Sequence, residues 1–349
     1  MKRKTQMVTI YGITHFIVDF LCAIFMTKNI QEICFSYNEY FQAIIIYNFF
    51  AFAFQVPLGI IFDKFRIYKF ISIIGICLIA LAYWSIVYNP IILAMIIGLG
   101  NALFHLEGGI NVYKKSNKKA ALNGIFVAPG ALGIFFGTTM NDTLSNSFLI
   151  LLIISTILIL FLQNLKNDKE DYDIIKEDIY NNKIKIKYII VLLVGISIIV
   201  RSIVGNVLIY TWKTKFYYSF LYVLGIFIGK FIGGVIGDKI GFNKTTTISL
   251  ITSIPFFFLG FKIPIFGILG ICLFNIPMAI TLTLLANTLK ERTGLAIGLN
   301  TFFLFIGFLL SFIDISINNN IIITLSIFLA VITIALSLKI FKSKEVKIQ

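Results

Sequence analysis

Two eleven-residue stretches, GIIFDKFRIYK from Gly59 to Lys69 and GVIGDKIGFNK from Gly234 to Lys244, lie half a chain length apart in a sequence of 349 residues. Each closes a long apolar run with Gly-x-x-x-Asp-Lys and a basic tail. A motif repeated at half the chain length, each time at the end of an apolar run, predicts two similar halves built of membrane-spanning helices. Few folds accept that constraint.

Lipid is the solvent such a chain needs. Hydrophobic residues make up 58% of it, charged residues 13%, and the mean hydropathy is +0.94. Apolar runs of about 20 residues, enough to cross a hydrocarbon core of about 30 Å, recur from Val8 to Phe341. They predict twelve spans near 8–27, 41–62, 68–88, 91–112, 120–140, 147–165, 187–211, 216–237, 245–262, 264–288, 294–316 and 320–341. The cut between the ninth and tenth rests on Lys262 and Pro264. The expected fold is an all-α polytopic membrane protein with about twelve transmembrane helices in two pseudo-symmetric six-helix bundles. Residues 1–165 form the first bundle, 166–186 a polar linker and 187–349 the second.

The formal net charge of +14 is a matter of topology. All but six of the 30 Lys and Arg fall at the termini, in the even-numbered loops or in the linker. By the positive-inside rule both termini are cytoplasmic in a cell (plasma) membrane protein, and no nucleic-acid partner is implied. The basic, apolar N-terminus lacks a small-residue cleavage site and reads as a retained first helix. Cys22, Cys34, Cys77 and Cys272 show no paired spacing, so neither a disulfide nor a metal framework is expected. The absence of a Gly-x-x-x-x-Gly-Lys-Ser/Thr loop speaks against ATP as the direct energy source. No cofactor is implied.

Ionisable groups inside lipid cost about 3–10 kcal/mol and so mark an ion or solute path, or act as polar glue between helices. The only two histidines, His15 and His105, both fall inside predicted spans, each near a carboxylate. His15 and Asp19 are four apart and share a helical face, a first candidate for proton coupling. His105 and Glu107 are two apart and point about 200° away from each other. Glu107 is expected to face the cavity, with His105 orienting a neighbour or the substrate. Arg201 lies too deep in the seventh span for easy snorkelling and needs an anion: Asp19, Glu107, or a phosphonate or carboxylate on the solute. Lys230 could snorkel, and Asn206 and Asn275 are uncharged polar candidates.

Two six-helix halves, a basic central linker and Gly-x-x-x-Asp-Lys after the second and eighth spans resemble the major facilitator superfamily of transporters across the whole chain. In that family the motif has an inner glycine, kept here as Gly241 and replaced by Arg66 in the first copy. Glycines let neighbouring helices approach, and an Asp near a helix N-terminus is favoured by its dipole. The resemblance implies a conformational latch joining the halves, from Gly59, Asp63, Lys64, Arg66 and Lys69 in one copy. In the other it comes from Gly234, Asp238, Lys239, Gly241 and Lys244. YGITHFIVDF (11–20), GLGNALFHLEGG (98–109) and VRSIVG (200–205) are similar to the fosmidomycin-resistance type of drug exporter, with Leu106 where that group has proline. Pro129, Gly130, Gly133 and Gly137 in the fifth span loosely resemble an antiporter motif and form a hinge or packing face, with Ala128 where a glycine is expected.

The expected function is proton-coupled export of a small organic or amphipathic solute by alternating access, in a monomer whose helices one, four and seven line the cavity. Uptake by symport or facilitated diffusion is the alternative. A membrane-embedded enzyme or a sensor is the distant one: the half-chain repeat has no role in an enzyme, and a sensor calls for a sizeable signalling domain where the only polar segment is a short linker.

Overall fold

The computed structural model describes residues 2–66, 68, 70–85, 89–140, 145–164, 181–313 and 319–346. Twelve helical rods follow one another among them. In the first half α1 runs through Lys2–Ile24 and a π-helical turn to residue 33, and α2 is Tyr37–Phe65. They are followed by α3 (Ile71–Tyr83), α4 (Pro90–Ser116), α5 (Ala121–Thr139) and α6 (Ser145–Asn164). In the second half come α7 (Asn181–Val207), α8 (Phe216–Ile240) and α9 (Phe242–Gly260). The last three are α10 (Pro264–Thr288, jointed at Ile276), α11 (Thr293–Leu310) and α12 (Asn319–Val346). Nine are long and apolar enough to cross a bilayer. Helix α3 is short at 13 residues, and α9 opens on Asn243, Lys244, Thr245 and Thr246.

Local chemistry sets several of these ends. Asn89 Oδ1 accepts from Ile91 and Ile92 N–H, and Pro90 opens α4 where its missing N–H costs nothing. Ser36 caps α2 through Glu39 N–H. The chain breaks at Phe261–Ile263 and restarts at Pro264, where the sequence places the cut. Helix α7 begins at Asn181, inside the stretch read as linker, and residues 165–180 lie outside the described ones. Lys69 of the first motif also lies outside them.

Leucines, isoleucines and phenylalanines such as Ile74, Leu151, Phe161, Leu192 and Leu325 point outward, as a lipid-facing surface requires. The protein is a multi-pass membrane protein. Each half has its own apolar core, the first around Tyr11, Phe20 and Phe104, the second around Tyr210, Leu250, Phe257 and Ile334. The halves meet where α2 packs on α11 and α5 on α8, two contacts that the half-chain repeat exchanges. Glycines allow both. A Cβ on Gly59 would collide with the carbonyl of Gly294, and one on Gly234 with the carbonyl of Ala120. A small apolar cluster of Phe62, Leu106 and Ile110 with Leu282 and Ile297 closes the gap between the halves near the face that carries the termini.

Candidate functional site

Asp63 accepts the backbone N–H groups of Gly294 and Leu295, both at 2.8 Å, and Asp238 accepts those of Ala120 and Ala121 at 2.8 and 2.9 Å. These are the first turns of α11 and α5. Neither helix has a side-chain cap of its own: Arg292 and Ala120 stand at the N-cap and make no such bond. Each helix therefore takes a carboxylate from the opposite half to satisfy its free N–H groups and its positive end. Lys64, Arg66, Lys239 and Lys244 are exposed around these contacts. Arg66 closes α2 in the left-handed region at φ 53°, ψ 34°, whereas Gly241 ends α8 at φ 94°. The arginine therefore accepts a left-handed backbone that the repeat's glycine adopts freely. On the same face, Tyr113 Oη donates to Asn287 Oδ1 and Asn287 Nδ2 to the Lys118 carbonyl, while Asn123 Nδ2 donates to Thr283 Oγ1. That face is zipped shut.

Within the first half, α1 and α4 bring His15, Asp19 and His105 together. His15 Nε2 lies 3.1 Å from Asp19 Oδ2, His105 Nε2 lies 3.3 Å from Asp19 Oδ1, and the two Nε2 atoms are 2.8 Å apart. The far side of each ring is fixed. His15 Nδ1 is 2.8 Å from the Phe126 carbonyl and His105 Nδ1 is 2.9 Å from the Asn101 carbonyl. A carbonyl only accepts, so Nδ1 carries the hydrogen on both rings and both Nε2 lone pairs converge on the carboxylate. Such a convergence demands a shared cation, and a proton is the simplest. Asn101 Nδ2 bonds Asp19 Oδ1 at 3.3 Å and reaches Tyr47 Oη. His105, with 14% of its side chain exposed, is the most open member of the cluster.

Helix α5 shapes the other side. Its glycine face lies on α1: Cβ atoms on Gly133 and Gly137 would strike the Phe16 and Phe20 carbonyls, and one on Gly130 would strike Asp19 Oδ2 and His15 Nε2. The helix stays continuous through Pro129, which sits one residue before the glycine that faces the cluster.

Glu107 is not part of this cluster. It is fully buried and caps α3 through the Ser72 N–H at 2.5 Å, and it is also held by Tyr11 Oη and Asn111 Nδ2. The expectation for α4 is not met: His105 turns toward Asp19, and Glu107, held by Tyr11 of α1, caps the first turn of α3 instead of joining the cluster. Two residues of offset point the pair in different directions, and packing, which a single helix does not encode, decides which of them meets Asp19.

In the second half an open cavity of about 230 Å³ is lined by α7, α8, α10 and α11, among them Arg201, Lys230, Tyr222, Phe274, Asn275 and Met278. Helices α1 and α4 do not line it, contrary to the expected one-four-seven arrangement. No Asp or Glu stands in its wall. Arg201 is 6% exposed; its Nε is buried without a hydrogen-bond partner, its Nη2 is 3.9 Å from Met278 Sδ, and its guanidinium lies 5.7 Å from the Phe274 ring centre. Neither Asp19 nor Glu107 pairs with it. Lys230, which the sequence places within snorkelling distance of the aqueous face, lines the cavity instead, where its charge is attracted by Asp19 and repelled by Arg201. Its helix meets α5 backbone to backbone, at Gly124, and that contact keeps this stretch of α8 at the interface between the halves. Asn206 bonds only the Ser202 carbonyl of its own helix, outside this wall.

No protein-family model and no curated protein matches the sequence. Solved structures do. The crystal structure of the E. coli fucose:proton symporter FucP aligns over 95% of this chain and 98% of its own, with a TM-score of 0.66 at 11% identity. FucP in the outward conformation aligns over 94% and 99%, with a TM-score of 0.61 at 13% identity. Both are transporters, not enzymes. With twelve rods, two matching halves and this overlap, the chain has the fold of the major facilitator transporters.

Proposed function

We propose that the protein is a proton-coupled secondary transporter of a small organic anion, working by alternating access with both termini in the cytoplasm. One observation carries this reading. Charged groups oppose each other across the two halves, beneath a face closed by two matching carboxylate contacts. On one side stands Asp19 with two imidazoles, on the other Arg201 and Lys230 in an open cavity. A buried guanidinium with no carboxylate in reach favours an anionic solute group, which it can hold in bidentate fashion. The Ile, Phe and Met walls suit an apolar body.

In this reading the coupling runs through Lys230, which lines the cavity and whose charge is attracted by Asp19. A proton on the cluster weakens the pull of Asp19 on the ammonium and leaves Lys230 freer to hold the anion. Loss of the proton restores that pull. The Asp63 and Asp238 contacts serve as the latch that opens when the halves rock.

Export by antiport is supported by the segments in α1, α4 and α7 that resemble the fosmidomycin-resistance exporters. Uptake by symport is supported by the likeness to a fucose:proton symporter and by the coupling itself, in which proton and anion favour each other's binding. The test is internal pH in proteoliposomes of the purified protein, challenged with organic anions and with neutral amides of the same apolar bodies. Proton movement with the anions alone supports the reading; movement with neither, or with the amides equally, contradicts it. The sign of a pH-driven solute gradient then tells antiport from symport.

A further inference from the structure

We infer that His15, Asp19 and His105 form a binding site for a divalent transition-metal ion of the zinc, cobalt or nickel kind. The inference deepens the transport reading, because the ion would stand where the coupling proton is proposed.

Three features of the cluster point to a metal. The first is the donor set. Two imidazole nitrogens and a carboxylate, meeting on one side of a space, are the ligands that borderline divalent ions favour. The second is the spacing. The two Nε2 atoms are 2.8 Å apart, and they lie 3.1 and 3.3 Å from Oδ2 and Oδ1 of Asp19, within the range of about 2.8–3.4 Å spanned by octahedral and tetrahedral ligand separations for bonds of about 2.0–2.1 Å. The third is the outer shell. Both Nδ1–H groups are tied to backbone carbonyls, of Phe126 and Asn101. That fixes the rings in the tautomer that presents Nε2 as a ligand, the arrangement typical of metal-bound histidine.

The fold also leaves room. A Cβ on Gly130 would come within bonding reach of both Asp19 Oδ2 and His15 Nε2, so the glycine keeps vacant a position that an ion held by those two atoms could fill. The part-exposed ring of His105 gives a way in. One group opposes the ion: Lys230, whose positive charge interacts with Asp19. The sequence hides the site because His105 is 90 positions from His15 and only the first pair shares a helix.

The test is equilibrium dialysis of Co²⁺, with its ligand-field absorption, on protein purified in detergent without a histidine tag. One Co²⁺ per chain, displaced by Zn²⁺, is expected. Asp19→Asn and His105→Gln should each weaken binding by at least the ~10–100-fold that outer-shell changes alone cost. Gly130→Ala, which keeps all three ligands, should weaken it by filling the space, and Lys230→Gln should tighten it. Thermal unfolding of each variant establishes that it is folded. Absence of stoichiometric binding to folded wild-type protein, or binding unchanged in both Asp19→Asn and His105→Gln, overturns the site. Dialysis needs no transport, so a failed metal site beside intact anion-driven proton movement leaves the transport reading standing. Binding without such movement supports the site alone.

Discussion

Replacing Asp238 with Asn should open the face that carries the termini, and the size of the effect can be worked from the contact. Asp238 accepts two backbone N–H groups from the uncapped first turn of α5, at 2.8 and 2.9 Å. Hydrogen bonds to a charged group contribute about 1.5–3 kcal/mol each, and a neutral bond about 1 kcal/mol. An asparagine keeps one neutral bond, turns its NH2 toward the second N–H and loses the charge–dipole attraction of about 0.3–1 kcal/mol. Taking the low end for a half-buried carboxylate, closure of this face weakens by about 2–3 kcal/mol, a shift of about 30- to 140-fold toward the open arrangement. Asp63→Asn should do the same through Gly294 and Leu295. The two sites share no partner, so the double variant should shift the balance by about the sum, 4–6 kcal/mol. Spin labels at Lys119 and Lys290, both exposed on that face in opposite halves, report the opening as a longer distance in a background without native cysteines. Distance distributions unchanged in both single variants and in the double variant would refute the latch.

Glu107→Gln should lower the thermal stability of the detergent-solubilised protein, by about 1–3 kcal/mol for a buried cap that loses its charge. It should leave solute-driven proton movement in place, because Glu107 holds the start of α3 and not the His–Asp–His cluster; abolished coupling in a folded variant would return Glu107 to the ion path. Arg201→Gln should weaken organic-anion binding at least tenfold while binding of the matched neutral amide is unchanged, read by calorimetry; equal loss for both would make Arg201 a packing residue. Lys187 Nζ lies 2.9 Å from Glu291 Oε2. Burial alone would raise the Glu291 pKa, but its bond to Lys187 and the charges of Lys187 and Lys290 outweigh that and hold it below the usual range. A depressed carboxylate stabilises the fold above its unfolded-state pKa and loses that contribution as pH falls through the lower folded value. Glu291→Gln should therefore destabilise at neutral pH and converge with wild type in acid, seen in melting temperatures across pH; a constant offset would contradict it.

How much of this was legible in the sequence depended on how local each feature is. The twelve rods could be read from apolar run lengths, and the break at Pro264 from one proline. The Asp63 and Asp238 contacts were expected through the resemblance to the major facilitator superfamily and not from local spacing, since the N–H groups they bind lie 231, 232, 118 and 117 positions away. The His15 and Asp19 pair follows from a spacing of four. Its partner His105 does not, since the face of α4 that meets α1 is chosen by packing around Gly75, Gly100 and Phe104. Asn101 was within reach: it stands four residues before His105, on the same face. The place of Lys230 was not legible, since snorkelling is open to it in the sequence while its helix lies against α5 at Gly124 and its side chain lines the cavity. For Arg201, depth in the span signalled the need for an anion, but the absence of a carboxylate from the cavity around it appears only in three dimensions.

In the proposed mechanism the cluster in the first half couples proton movement to the solute bound in the second. Asp19→Asn in proteoliposomes tests it most directly, by comparing pH-driven accumulation of an organic anion with its exchange at equal pH. Accumulation should be lost while equal-pH exchange persists, because Arg201 and Lys230 remain in place to hold the anion. Full pH-driven accumulation by the variant would contradict it.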